Sequence, residues 1–167
     1  MVTTNIAPKI ALVCPGKPLL RERADAVMAL AAREFPQVDL RFHEQCFAVA
    51  GHFAGDDAMR LAALLEVAND PAIDAVWFAM GGYGSNRIVG EAVAGLGTAA
   101  QGKTFLGYSD CGTLLGALYR NGIGRPVHGP LAGDIRREGG DQAIRRVLGY
   151  FTGDRSGLEQ GLDDRPT

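Results

Sequence analysis

Ser109 has the setting best suited to chemistry. It follows the apolar run at 104–108 (TFLGY), and Asp110 and the apolar stretch 113–119 come after it, which places it at the apex of a strand-to-helix turn. A tight bend there pushes the hydroxyl out of the sheet and aims helix-start amides at an incoming carbonyl. Gly107 is expected to let the chain bend just before the serine. The Asp110 amide then lies where an oxyanion would form, and a second donor is expected from the double-glycine turn of Gly81 and Gly82 at the end of a neighbouring strand. Glycine and serine after a strand also occur as a plain turn, so the residues alone leave both possibilities open.

The segment GGYGSNR at 81–87 suggests a different chemistry, a glycine-rich turn whose amides cradle a phosphate. It has no GxGxxG in register, no lysine where a P-loop needs one, and no acidic residue at the end of a second strand. Ser85 is a rival nucleophile on chemical grounds, although Asn86 and Arg87 beside it read as helix-start and surface residues. A serine nucleophile needs a general base within hydrogen-bond reach. The three histidines, His43 in a polar stretch, His52 in a glycine-flanked loop and His128 in the turn VHGP, read as loop or packing residues. The carboxylates show no glycosidase-like pair, and no HExxH or similar spacing implies a metal.

The elements that must position Ser109 follow from periodicity. Strands are expected at 9–14, 38–42, 73–80 and 104–108, each followed by a helical pattern, with Asp56 or Asp57 capping the second helix. A further short strand at 123–127 and a helix at 142–151 are more weakly written. The run IDAVWFAM at 73–80 is nearly continuous in apolar residues, as suits a central strand covered on both faces. Alternation of strand and helix implies an α/β fold, a parallel sheet flanked by helices on both faces, with ligands at the carboxyl ends of the strands. Residues 1–151 are expected to form one nucleophile-bearing domain, and 152–167 (TGDRSGLEQGLDDRPT) a linker.

Composition narrows the function classes. The 167 residues are 47% hydrophobic and 22% charged, which suits one soluble domain. Twenty-three glycines fall in punctuating pairs without a collagen period. A formal charge of −2 and a pI near 5.9 give no drive toward nucleic acid or anionic lipid. No transmembrane-length apolar run or leader is expected, and Cys14, Cys46 and Cys111 read as reduced thiols, so the protein is expected to be cytoplasmic.

The stretches HFAGDDAMRLAALLEVANDPAIDAVWFAMGGYGSNRI, KTFLGYSDCGTLLGAL and HGPLAGD, in that order, resemble the L,D-carboxypeptidase family of serine peptidases, which includes muramoyl-tetrapeptide carboxypeptidases and the microcin-immunity hydrolases. The likeness runs from about Ile10 to about Asp134. It implies a flavodoxin-like or Rossmann-like three-layer N-terminal domain with Ser109 of GYSD as nucleophile. It also implies an oxyanion hole from the amides of Asp110 and of Gly81 or Gly82. The family's glutamate and histidine are implied to lie in a C-terminal domain beyond the linker, outside this chain, with His128 at a non-catalytic position. Met80 stands where an arginine is common in the family, and Gly112 where a threonine is usual. The implied substrate is a cell-wall tetrapeptide ending in a D-amino acid, or a related peptide-nucleotide amide. No metal or organic cofactor is implied, and a homodimer is implied for a full-length version. Two alternatives stand beside this: an inactive stand-alone domain that binds wall peptides or pairs with another subunit, and a flavodoxin-like nucleotide or small-molecule binder that shares only architecture.

Overall fold

The structure, a computed structural model, describes residues 7–154. Strand and helix alternate throughout: β1 (Lys9–Val13), α1 (Arg21–Glu34), β2 (Asp39–Phe42), α2 (Asp57–Asn69), β3 (Ala75–Phe78), α3 (Ser85–Gly95), β4 (Thr104–Gly107), α4 (Gly112–Arg120), β5 (Arg125–His128) and α5 (Gly140–Phe151). The five strands form one parallel sheet in the order β2-β1-β3-β4-β5. The chain winds outward from β1 in one direction and from β3 in the other, so a crevice opens at their carboxyl ends. Both weakly written elements are present, as β5 and α5.

The period of two in the strands sorts side chains between two cores. Ile10, Leu12, Ala75, Trp77 and Leu106 face α1 and α5, where Val27, Leu30, Ile144 and Leu148 meet them. Ala11, Val13, Val76, Phe78 and Phe105 face α2, α3 and α4, packing on Leu64, Ile88 and Leu114. The sheet is thus covered on both faces, as the apolar run of β3 requires. That strand is shorter than its run: Ala79 N still donates to Val13 O at 2.9 Å, but the chain then leaves the ladder to form the double-glycine turn.

Local chemistry sets the helix ends. Asp56 Oδ1 accepts from Met59 N at 2.8 Å and caps α2, an interaction worth about 1 kcal/mol. The linker expected from residue 152 begins with the closing turn of α5, where Thr152 N donates to Leu148 O at 3.1 Å; from 155 onward it lies outside the described residues. No described helix is long and apolar enough to cross a membrane.

The two helices on one face are joined by Arg145, whose Nε and Nη2 donate to Glu34 at 2.6 and 3.0 Å. Hydrogen bonds from Arg145, and after them from Arg33, lower the Glu34 carboxyl from its ordinary 4.5 to about 2. A carboxyl held low in the folded state stabilises above its ordinary range and loses that contribution as pH falls from 4.5 towards about 2. Thermal melts across that window should show the stability difference between the unsubstituted chain and Glu34→Gln shrinking as acid is added. Gly107 provides a second check, because a Cβ there would sit 2.9 Å from Phe78 Cδ2 and 3.0 Å from Phe78 Cβ. Gly107→Ala should lower unfolding stability by about 1–3 kcal/mol in urea titrations.

Candidate active site

The cleft lies at the carboxyl edge of the sheet and is assembled from four strand ends. Lys17 follows β1, Met80 to Tyr83 follow β3, Tyr108 and Ser109 follow β4, and Leu131, Asp134 and Arg137 follow β5; together with Arg23 of α1 they enclose about 220 Å³. Gly107 closes β4 against Phe78, so its role is to admit that ring, and the bend falls two residues later than expected. It falls on Ser109, whose φ of +59° is the only positive value at a non-glycine residue among those described. Holding an L-residue there costs about 1–2 kcal/mol. The side chain is exposed at the apex, and α4 starts three residues later.

Ser109 faces the double-glycine turn at close range. A Cβ on Gly81 would come within 3.2 Å of Ser109 Oγ, so a side chain at 81 would crowd the hydroxyl. Gly82 has φ +138°, and a Cβ there would meet Lys17 Cγ at 2.8 Å, so the turn needs glycine for both backbone and space. Lys17 N donates to Gly81 O at 2.7 Å and anchors the turn from the β1 side. The amides of Gly81, Gly82 and Asp110 have no acceptor among the described residues. Donors left free in this way are available to an oxygen placed between them.

The Asp110 side chain does something the sequence did not reveal. Its Oδ2 accepts from Gly84 N and Ser85 N, both at 3.0 Å, so it caps α3 from outside. The α3 N-cap, Gly84, has no side chain for the purpose, and a carboxylate at a helix start is favoured by both the free amides and the dipole. Those amides are the ones a phosphate-cradling loop would offer, so the segment 81–87 does not present an open anion site at this helix. Behind the turn lies Arg60, 1% exposed, which donates to Gly55 O at 2.9 Å, pairs with Asp57 and stacks 4.6 Å over Phe53. A Cβ on Gly84 would stand 3.2 Å from its Cζ, so Arg60 is a floor for the turn.

The rival serine and the histidines fall elsewhere. Ser85 is fully buried, and among the described residues its Oγ has just the weak Cys111 thiol beside it. Burial, followed by the nearby charge of Asp110, raises that thiol well above its ordinary range, so it stays protonated. None of the three histidines lines the cleft. His43 contacts Glu66 at 3.3 Å and His52 lies exposed in its loop, while His128 ends β5 with its ring edge-on to Tyr108 at 5.9 Å.

One wall of the cleft is a polar cluster that strand and helix patterns could not have foretold. Asp134 Oδ2 accepts from Leu131 N at 3.0 Å, while Oδ1 meets Arg137 Nε at 3.1 Å and accepts from Tyr108 OH at 3.3 Å. Arg137 Nη1 in turn donates to Tyr108 OH at 2.6 Å. Burial, and then the charge of Asp134, hold the phenol above its ordinary range, so it remains a donor. Trp77 Nε1 fixes the same segment through Pro130 O at 2.8 Å.

Removing the Asp110 carboxylate should strand two helix-start amides. Asp110→Ala is expected to cost about 1–3 kcal/mol of stability and to speed hydrogen exchange at Gly84 and Ser85, with Asp110→Asn, which keeps an acceptor oxygen, losing less. Unchanged exchange at those two amides would remove the joint assigned to this side chain.

Comparison with known proteins agrees with this architecture. The family profile described as the LD-carboxypeptidase N-terminal domain matches residues 10–129. The murein tetrapeptide carboxypeptidase of Pseudomonas aeruginosa is 31% identical over 124 residues, covering 74% of this chain and 39% of that protein. The crystal structure of muramoyltetrapeptide carboxypeptidase from Oxalobacter formigenes is similar with a TM-score of 0.59 and 25% identity, over 76% of this chain and 41% of that one. An MccF-like protein from Bacillus anthracis shares the fold, with a TM-score of 0.70 at 19% identity over 86% of this chain and 44% of that one. This chain therefore spans well under half the length of the relatives it matches. With the family profile covering most of the sheet and the strand-to-helix turn at Ser109, this chain belongs to the LD-carboxypeptidase family through its N-terminal domain.

Proposed function

We propose that this chain supplies the nucleophile and oxyanion half of a serine-type L,D-carboxypeptidase that releases a terminal D-amino acid from cell-wall tetrapeptides. The observation that carries the proposal is Ser109 itself: an exposed hydroxyl on a backbone strained to φ +59°, beside a double-glycine turn whose amides lack acceptors among the described residues. Strain of this kind persists where surrounding contacts over-determine it, and it is a mark of sites where a side chain must be presented.

In the proposed reaction Ser109 Oγ attacks the carbonyl of the terminal amide while a base takes its proton. The resulting oxyanion is held by the Asp110 amide and an amide of Gly81 or Gly82, each worth roughly 2.7–4 kcal/mol by comparison with measured oxyanion donors. The base returns that proton to the amide nitrogen, collapse expels the D-amino acid as its free amine, and a base-activated water then hydrolyses the acyl-serine. No histidine lines the cleft, so the base is assigned to the glutamate and histidine that the family resemblance places in a C-terminal domain. The proposal extends to a cytoplasmic role in wall recycling and to a homodimeric full-length form. An inactive binding domain lacks a reason to keep Ser109 strained and uncovered, and a nucleotide binder would find the start of α3 already filled by Asp110.

In a full-length form that carries the proposed base, with a D-alanine-terminated tetrapeptide as substrate, Ser109→Ala should reduce D-alanine release on the order of 10⁶-fold, the scale measured for serine nucleophiles. Ser85→Ala should reduce it far less. A fluorophosphonate adduct should map to residue 109; activity that survives Ser109→Ala, or an adduct at another serine, refutes the assignment.

A further inference from the structure

The charges of the cleft do not cancel. Lys17, Arg23 and Arg137 line it against a single acid, Asp134. Asp134 is committed, with Arg137 Nε at 3.1 Å, Tyr108 OH at 3.3 Å and Leu131 N at 3.0 Å on its two oxygens. Among the described residues neither Lys17 nor Arg23 has a carboxylate within ion-pair distance. The Ser109 cleft therefore keeps two positive charges for whatever enters it.

The two cations are held differently. Arg23 is half-buried in the first turn of α1 and reaches across to donate Nη1 to Gly133 O at 2.8 Å, a neutral acceptor that leaves its charge uncompensated. Its Nε is closed off from solvent without a partner, and Nη2 makes no bond within the described residues. A guanidinium that is partly stripped of water and lacks an anion attracts one more strongly than a surface arginine does. Lys17 is exposed at the mouth, with Nζ 5.8 Å from the centre of the Tyr83 ring, and its backbone is tied to Gly81 at 2.7 Å. Lys17 can therefore follow an incoming anion while its anchor stays with the oxyanion turn.

The space beside Ser109, about 220 Å³, has room for a small residue and the amide that joins it. If the scissile carbonyl sits at Ser109, the α-carboxylate of the departing residue lies one residue further on, about 3.8 Å along the chain in Cα terms, well within such a space. We infer that Arg23, assisted by Lys17, recognises the free α-carboxylate of the residue to be released, and so confines the site to chain ends. This rests on the hydrolase assignment only for the direction in which the peptide lies.

Binding without turnover tests it. In a Ser109→Ala background of the full 167-residue chain, titration calorimetry compares Nα-acetyl-L-lysyl-D-alanine with its C-terminal carboxamide at low ionic strength. The acid should bind about tenfold more tightly or better, and Arg23→Gln should bring the ratio close to one. Lys17→Gln should lower the ratio several-fold, and Arg23→Lys, which keeps the charge, should retain most of it, separating loss of a cation from loss of a helix contact. Equal binding of acid and amide, no detectable binding of the acid, or a preference that survives both glutamine variants overturns the inference. A fluorophosphonate adduct at a serine other than Ser109, with the acid preference intact, would instead count against the hydrolase assignment alone.

Discussion

One carboxylate oxygen holds the site together. Asp110 Oδ2 takes two amides from the start of α3, and Asp110 directly follows the strained Ser109, so the tip of β4 and the turn after β3 are joined at a single atom. The elbow is further fixed by Cys111 N to Tyr108 O at 3.2 Å and by the Gly112 amide, which turns back to Asp110 O and Ser109 O. A backbone that costs energy at one residue is stable only when its neighbours leave no better option. Here those neighbours include a helix start that would otherwise be uncapped, so relaxing Ser109 would also expose α3.

Much of the architecture could be read from the chain, for identifiable reasons. The run at 73–80 suits a central strand because, Asp74 apart, it is apolar throughout, and β3 is indeed fully buried. Its last residues are apolar too, yet they leave the sheet, since nothing in hydrophobicity distinguishes a ladder residue from one that leads into a glycine turn. β5 was faint because it is an edge: Arg125 and His128 are exposed and the two residues between them only half-covered, so its sequence, RPVH, carries little burial signal.

The site was legible only along the backbone. Ser109, Asp110, Gly81 and Gly82 could be placed because strand-to-helix turns and paired glycines have local signatures. The Asp110 carboxylate on Gly84 and the contacts of Tyr108 with Asp134 and Arg137 join residues 26, 26 and 29 apart in the chain, and no local pattern encodes them. One clue was available: Gly84, at the start of α3, cannot cap its own helix, so an acceptor had to come from elsewhere. Burial separates the preferred Ser109 from its rival Ser85: the first is exposed and the second fully buried.

The outer rim of the sheet carries a consequence of its own. Arg125 N and Gly129 N both bond inward to β4, at 2.8 and 3.0 Å, so alternation turns Pro126 and His128 outward. Proline has no N–H, and on that rim a foreign strand finds one donor where two would normally stand. Sheet extension and cross-β stacking through β5 are discouraged by a single imino acid, and this edge strand is kept from becoming an aggregation seed.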